Sequence, residues 1–235
     1  MFFYIVFSIK NYKRKRKQLN SVKGKFIVFE GIDGAGTETQ SKKLVKYLKS
    51  KGKKVLFITY PDYGPNKEIP TKPIGKLIHE WLHKKYDFDV KVQFLLYSAD
   101  MIKDIKKIRR ALKSGKIIVA DRYFTSTLAY QGLKGFPIRK GLEYAKIFSI
   151  VRPDLIIYLE VSPETSIKRK LKEKGGKIDR HEKNRKFLKQ LVKFYKRLAN
   201  QNVFGKWVTI NGEKSKIEVF EDIKKITEKV LFTLR

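Results

Sequence analysis

Residues 29–40 read FEGIDGAGTETQ and complete the apolar run KFIVF of residues 25–29. A strand that turns on glycines and enters a helix presents backbone N–H groups and a helix N-terminus to an anion. The Walker A form of such a loop is G-x-x-x-x-G-K-[ST]. Gly31 and Gly36 fit its two glycines, but Thr37 stands at the lysine position and Glu38 at the hydroxyl position, with Thr39 retaining a hydroxyl one place further on. Gly31, Ile32, Asp33, Gly34, Ala35, Gly36, Thr37, Glu38 and Thr39 form the candidate donor-nucleotide loop. The glycine pattern alone fits an ordinary strand-to-helix turn equally well.

Working outward, the same plan of an apolar run ended by a turn signal recurs in KKVLFITYP (53–61), GKIIVADRY (115–123), DLIIYLEV (154–161) and KWVTING (206–212). Such runs suit strands covered on both faces. Helical patterns fill the intervals, at about 38–51, 73–85, 90–114, 137–150, 163–174, 182–202 and 215–234. Strands alternating with helices predict an α/β fold: a doubly wound, five-stranded parallel sheet flanked by helices. Ligands of such sheets bind beyond the carboxyl ends of the strands, which singles out residues 30–38, 60–62 and 121–123.

Composition bounds the class. A chain of 235 residues with 42% hydrophobic content supports one domain with a sizeable core, here 25–235. Without cysteine there are no disulfides and no cysteine-ligated zinc, and three scattered histidines (His79, His83, His181) make a poor metal cage. The net charge of +32 points toward polyanions. The lysines are nevertheless spread between apolar positions on nearly every predicted helix, as a solvated face would have them, so nucleic acid is not the expected main partner. Residues 1–24 form a basic N-terminal extension whose apolar run of nine residues is too short to span a bilayer, with the cluster Lys13–Lys17 after it. The expectation is a cytoplasmic protein without an export signal. The extension is a basic arm, a disordered segment, or the product of an early start, with Val22 the true first residue.

The second informative stretch is DRYFTSTLAYQG, residues 121–132. Asp121 ends an apolar strand, where a carboxylate holds Mg²⁺ directly or through water. Arg122 brings a guanidinium fork suited to phosphate into the same crevice. Ser126, Thr127, Tyr130 and Gln131 follow as a hydroxyl and aromatic series suited to a nucleoside.

With these residues in order, the chain resembles the thymidylate kinase family, P-loop nucleoside monophosphate kinases that make dTDP from dTMP. The resemblance runs over about residues 24–234 through FIVFEGIDGAG and the following TQ, YPD (60–62), FLLYSAD (94–100), DRY with STLAYQG, RPDLIIYLEVSPE (152–164) and the lid-like KRKLKEKGGKIDRHE (168–182). It implies ATP as donor, Mg²⁺, a homodimer formed through helices in the region 73–114, and a set of roles. Arg122 binds the dTMP phosphate and Asp121 helps place Mg²⁺. Asp33 contacts the deoxyribose 3′-hydroxyl or a magnesium-bound water. Tyr97 stacks on thymine, Thr127 bonds the base edge, and Tyr130 packs beneath the sugar. The chain departs from the family at Tyr63 and Gly34, where an arginine is usual at one place or the other, and at Met101, where many members have a base-contacting arginine.

Thr37 and Glu38 lower the formal charge of the phosphate loop by about two units, where positive charge near the γ-phosphate governs the rate. The lid, about 168–181, offers compensation: Arg169 and Arg180 are expected to close over the β/γ-phosphates, with Glu38 a direct Mg²⁺ ligand. Two other readings stay open at this point, a non-catalytic nucleotide or nucleic-acid binding module and a kinase for another nucleotide or nucleoside.

Overall fold

The computed structural model describes residues 24–173 and 184–232, so nearly all of the 1–24 extension, and Arg180 with most of the lid, lie outside the described residues. The chain runs β1 (Lys25–Glu30), α1 (Thr37–Ser50), β2 (Val55–Thr59), α2 (Pro73–Leu82), α3 (Val90–Ile102), α4 (Ile105–Lys113), β3 (Ile117–Asp121), α5 (Phe124–Leu133), α6 (Ile138–Ile147), β4 (Leu155–Glu160), α7 (Pro163–Glu173), α8 (Arg185–Asn200), β5 (Trp207–Asn211) and α9 (Lys216–Phe232). The five strands pair in parallel in the order β2-β3-β1-β4-β5.

All five expected strands form where the apolar runs stand. Phe26–Phe29 of β1, Ile117–Ala120 of β3 and Leu155–Leu159 of β4 are buried along their whole length, as central strands covered on both faces must be. The edge strand β5 buries Trp207 and Ile210 but exposes Thr209 and Asn211. In register, Phe29 lies opposite Asp121, and Asp121 opposite Thr59. The carboxyl ends of the three strands therefore finish level, and the loops that follow them share one crevice.

Two helical expectations are corrected. The run 90–114 is two helices: the Asp104 N–H does not bond the Asp100 carbonyl as it would in a continuous helix, and the Lys103 ammonium donates there at 2.7 Å. That N–H turns to the Met101 carbonyl instead, at 3.1 Å, and a new helix starts. The second correction is α5, absent from the expected helices. It buries Phe124, Thr125, Thr127, Leu128, Ala129 and Gln131, so no polar face alternates with an apolar one.

Candidate active site

The phosphate loop leaves β1 at Glu30 and reaches α1 at Thr37. Gly36, at φ 93°, is the N-cap of α1, and no side chain caps it. The first-turn N–H groups are thus left to an anion, as phosphate binding requires. Gly34, at φ 75°, lies so close to α7 that a Cβ would stand 2.7 Å from the Ser166 carbonyl oxygen. No side chain fits there, which accounts for the missing arginine in this loop. The loop is fastened to α7 on both sides of Gly34: Ser166 Oγ donates to the Asp33 carbonyl at 2.5 Å, and Arg169 reaches the Gly34 carbonyl at 3.4 Å.

Arg122 adopts φ 63°, unusual for a side chain of this size. The turn is enforced by its own N–H, which donates to the Phe29 carbonyl at 2.9 Å, and by a dense set of side-chain contacts. Its guanidinium donates to Asp33 Oδ1 at 2.7 Å, to the Gly31 carbonyl at 2.8 Å and to Ser126 Oγ at 3.4 Å. Tyr130 donates to the other Asp33 oxygen at 3.0 Å and lays its ring 5.8 Å from the guanidinium carbon. Asp33, Arg122, Ser126 and Tyr130, separated by up to 97 positions in sequence, therefore form one contiguous set.

Glu30 organises that set from beneath, a role that the sequence reading missed. Its side chain is fully buried. Oε1 accepts from the Tyr123 N–H at 3.1 Å, the Ser126 N–H at 3.0 Å and Thr125 Oγ1 at 2.5 Å. Oε2 accepts from Tyr195 at 3.1 Å and from Ser126 Oγ. The N-cap residue of α5, Tyr123, supplies no side-chain cap, so a carboxylate from the neighbouring strand caps the helix in its place. Burial pushes the Glu30 carboxyl above its ordinary range, against the pull of Ser126, Thr125, the Arg122 charge and Tyr195. The available signal was an acid ending an otherwise apolar strand immediately before a glycine loop.

Asp121 is also buried, and its Oδ1 has no hydrogen-bond partner among the described residues. Burial pushes its carboxyl up, opposed by the Arg122 charge and the Thr37 hydroxyl. An anionic oxygen of this kind fits a Mg²⁺ ligand, since the cation would relieve the cost of burying the charge. Glu38 does not fit that role in this structure. Lys42 holds its Oε1 and Lys67 its Oε2, each at 2.6 Å. Burial works to raise the Glu38 pKa, but these two lysines outweigh it and hold the carboxyl at about 2.

Thr127 and Gln131 stand one turn apart on α5, both buried. Thr127 Oγ1 and Gln131 Oε1 have no partner among the described residues, and a ligand with donors would satisfy them. Tyr97, on α3, is half-buried, with its ring 6.3 Å from that of Trp81. Met101 is buried and contributes to the core. The YPD loop is held by Asp100, which accepts from the Asp62 N–H at 2.7 Å and from Lys103 at 2.7 Å. Of the two lid arginines, Arg169 lies at the phosphate loop, also donating to the Gly212 carbonyl at 2.9 Å. Arg180 is outside the described residues.

Comparison with known proteins agrees with this geometry. A thymidylate kinase family profile matches residues 29–223. A thymidylate kinase of Caldicellulosiruptor saccharolyticus is 36% identical over 214 residues, covering 89% of this chain and 98% of the relative. One from Thermoanaerobacter sp. (strain X514) is 32% identical over 219 residues, covering 89% and 100%. A probable thymidylate kinase of Thermococcus gammatolerans is 30% identical over 219 residues, covering 89% and 99%. A glycine loop at the tip of the central strand, an Asp-Arg pair at the tip of its neighbour and this near-full-length likeness agree: the chain belongs to the thymidylate kinase family, a family of phosphotransferases.

Proposed function

We propose that this chain transfers the γ-phosphoryl group of ATP to dTMP, giving dTDP and ADP for dTTP synthesis, in the cytoplasm and with Mg²⁺. The observation that carries the reading is the Asp33–Arg122–Tyr130 set beside an uncapped helix N-terminus, the first of a chemistry suited to a phosphate and sugar, the second to phosphates. In this reading Arg122 binds the dTMP phosphate. The Asp33 carboxylate and the Gly31 carbonyl fix the plane of its fork, so that little freedom is lost on binding. Asp33 and Tyr130 take the sugar, Ser126 steadies the arginine, Thr127 and Gln131 meet the base edge, and Tyr97 stacks on it.

Asp121 is the residue that would hold Mg²⁺, which would neutralise the negative charge of the donor phosphates. Residues 31–39 wrap the donor phosphates with backbone N–H groups. Arg169, with Arg180, adds positive charge from the lid side. The reading includes a homodimer, supported by the exposure of Val92 and Leu95 on α3, within the helical region 73–114.

ADP formation with dTMP, dUMP, dCMP, dGMP and UMP offered separately tests the proposal, beside Arg122→Ala. Turnover with dTMP that is lost in the variant is expected. Absence of turnover with every acceptor, from folded protein, refutes it.

A further inference from the structure

Phosphoryl transfer of the kind proposed needs positive charge at the donor β/γ-phosphates; beside Arg169 on the lid side it needs a cation on the loop side, and neither Thr37 nor Glu38 supplies one. We infer that Lys67 is that cation: it is brought to the phosphate loop by the segment between β2 and α2 and is steered there by Glu38. This inference rests on the reading of the site given above.

Glu38 lies in the first turn of α1, where the Walker A hydroxyl residue would stand, and Lys67 Nζ is 2.6 Å from its Oε2. Lys67 belongs to another part of the chain, 29 positions away. The segment that carries it is anchored at both ends. Asp62 N–H donates to Asp100 at 2.7 Å, and Thr71 N–H donates to the Tyr63 carbonyl at 2.9 Å. Between them, Asn66 Oδ1 accepts from the Glu68 N–H at 2.9 Å, shaping the turn that presents Lys67.

An ammonium has three donors, and Glu38 takes one, which leaves two for phosphate oxygens. The pair is about half exposed, at 47% for Lys67 and 39% for Glu38, so Lys67 reaches a ligand without breaking a buried contact. With Lys42 on the other oxygen, the cluster of two lysines and one glutamate carries a net positive charge at the start of α1. Both departures from the Walker A form then have one explanation: the lysine is supplied from a neighbouring segment, and the acid in the hydroxyl position is its anchor.

The test is steady-state kinetics with dTMP, together with equilibrium binding of MgATP, on the parent, Lys67→Ala, and a triple variant that adds Thr37→Lys and Glu38→Ser to Lys67→Ala. Lys67→Ala is expected to lower kcat by about 10²-fold, as removal of one stabilising donor does, with KM for dTMP within about twofold. The triple variant, which restores lysine at its usual position, is expected to recover most of the loss. An active parent whose Lys67→Ala variant keeps kcat within about threefold overturns the inference and leaves the proposed function standing. A parent inactive with every nucleotide overturns the proposed function, and MgATP affinity then decides the inference: a loss of about tenfold in Lys67→Ala upholds it, and unchanged affinity refutes it.

Discussion

Replacing Glu30 with Gln and with Ala separates its role as a hydrogen-bond acceptor from its role as a charge. In the alanine variant five donors lose their acceptor. Two keep a second partner: the Ser126 N–H also donates to the Tyr123 carbonyl at 2.9 Å, and one of the Ser126 and Tyr195 hydroxyls, 3.1 Å apart, can donate to the other. The Tyr123 N–H, the Thr125 hydroxyl and the second of those two hydroxyls remain buried and unpaired, at about 1–3 kcal/mol each, so Glu30→Ala should lose about 3–9 kcal/mol. That is a large fraction of a total stability of about 5–15 kcal/mol. Glutamine keeps an acceptor at Oε1, and its amide faces two hydroxyls that can rotate to accept, so Glu30→Gln should stay within about 2 kcal/mol of the parent.

The pH dependence carries a further sign. A carboxyl whose pKa is raised by folding binds protons more tightly in the native state, so its contribution is present below the unfolded value of 4.5 and is lost as pH rises through the folded pKa. Stability of Glu30→Gln relative to the parent should therefore improve as pH rises through that window. Urea unfolding across that range, with the midpoint followed at constant m, measures both effects. Equal losses for Gln and Ala, or a relative stability that falls with pH, would refute the account of Glu30 as a buried acceptor hub.

Three other outcomes are expected. Glu38 has a lowered pKa, so its contribution is present above 4.5 and is lost as pH falls toward about 2; with the side chain 39% exposed, solvent screening reduces it to about 1 kcal/mol, and the stability gap between the parent and Glu38→Gln should close over that window and shrink with salt. Thr127→Val removes a buried hydroxyl that has no partner, and should raise Tm by about 2–4 °C in a thermal scan while raising KM for dTMP about tenfold, a split that a purely structural threonine would not show. Gly34→Ala places a methyl 2.7 Å from the Ser166 carbonyl oxygen at a positive φ, and should lose about 1–3 kcal/mol by urea unfolding.

How far the sequence discloses the fold depends on where each signal resides. The five strands are legible because burial on both faces requires uninterrupted apolar runs, and the turn residues that end them are local. The helix α5 is not legible, because FTSTLAYQGL is buried nearly all round and carries hydroxyls and a glycine where an amphipathic stripe would be sought. The division between α3 and α4 lies where the Asp104 N–H turns from the carbonyl four residues back to the one three back, which no periodicity registers. In the candidate site, Asp121, Arg122 and Tyr130 draw notice from residue type and order, and Asp33 through the family resemblance. Glu30 does not, because its importance lies in which N–H groups converge on it.

The phosphate loop is the sharpest instance of the same limit. Read along the chain, Thr37 and Glu38 make a loop that has lost a cation and gained an anion. Read in space, Glu38 gathers two lysines, one of them 29 positions away, and the local charge becomes positive again. Electrostatic stabilisation depends on where charge stands relative to the reacting phosphates, not on which residue carries it. A motif specifies the residue that usually delivers the charge, and it therefore fails where another segment can reach the same point. Here the YPD segment can, because β2 and β1 end level on either side of Asp121. The sheet register that sets Asp121 level with the ends of β1 and β2 thus also brings Lys67 to Glu38 at the start of α1.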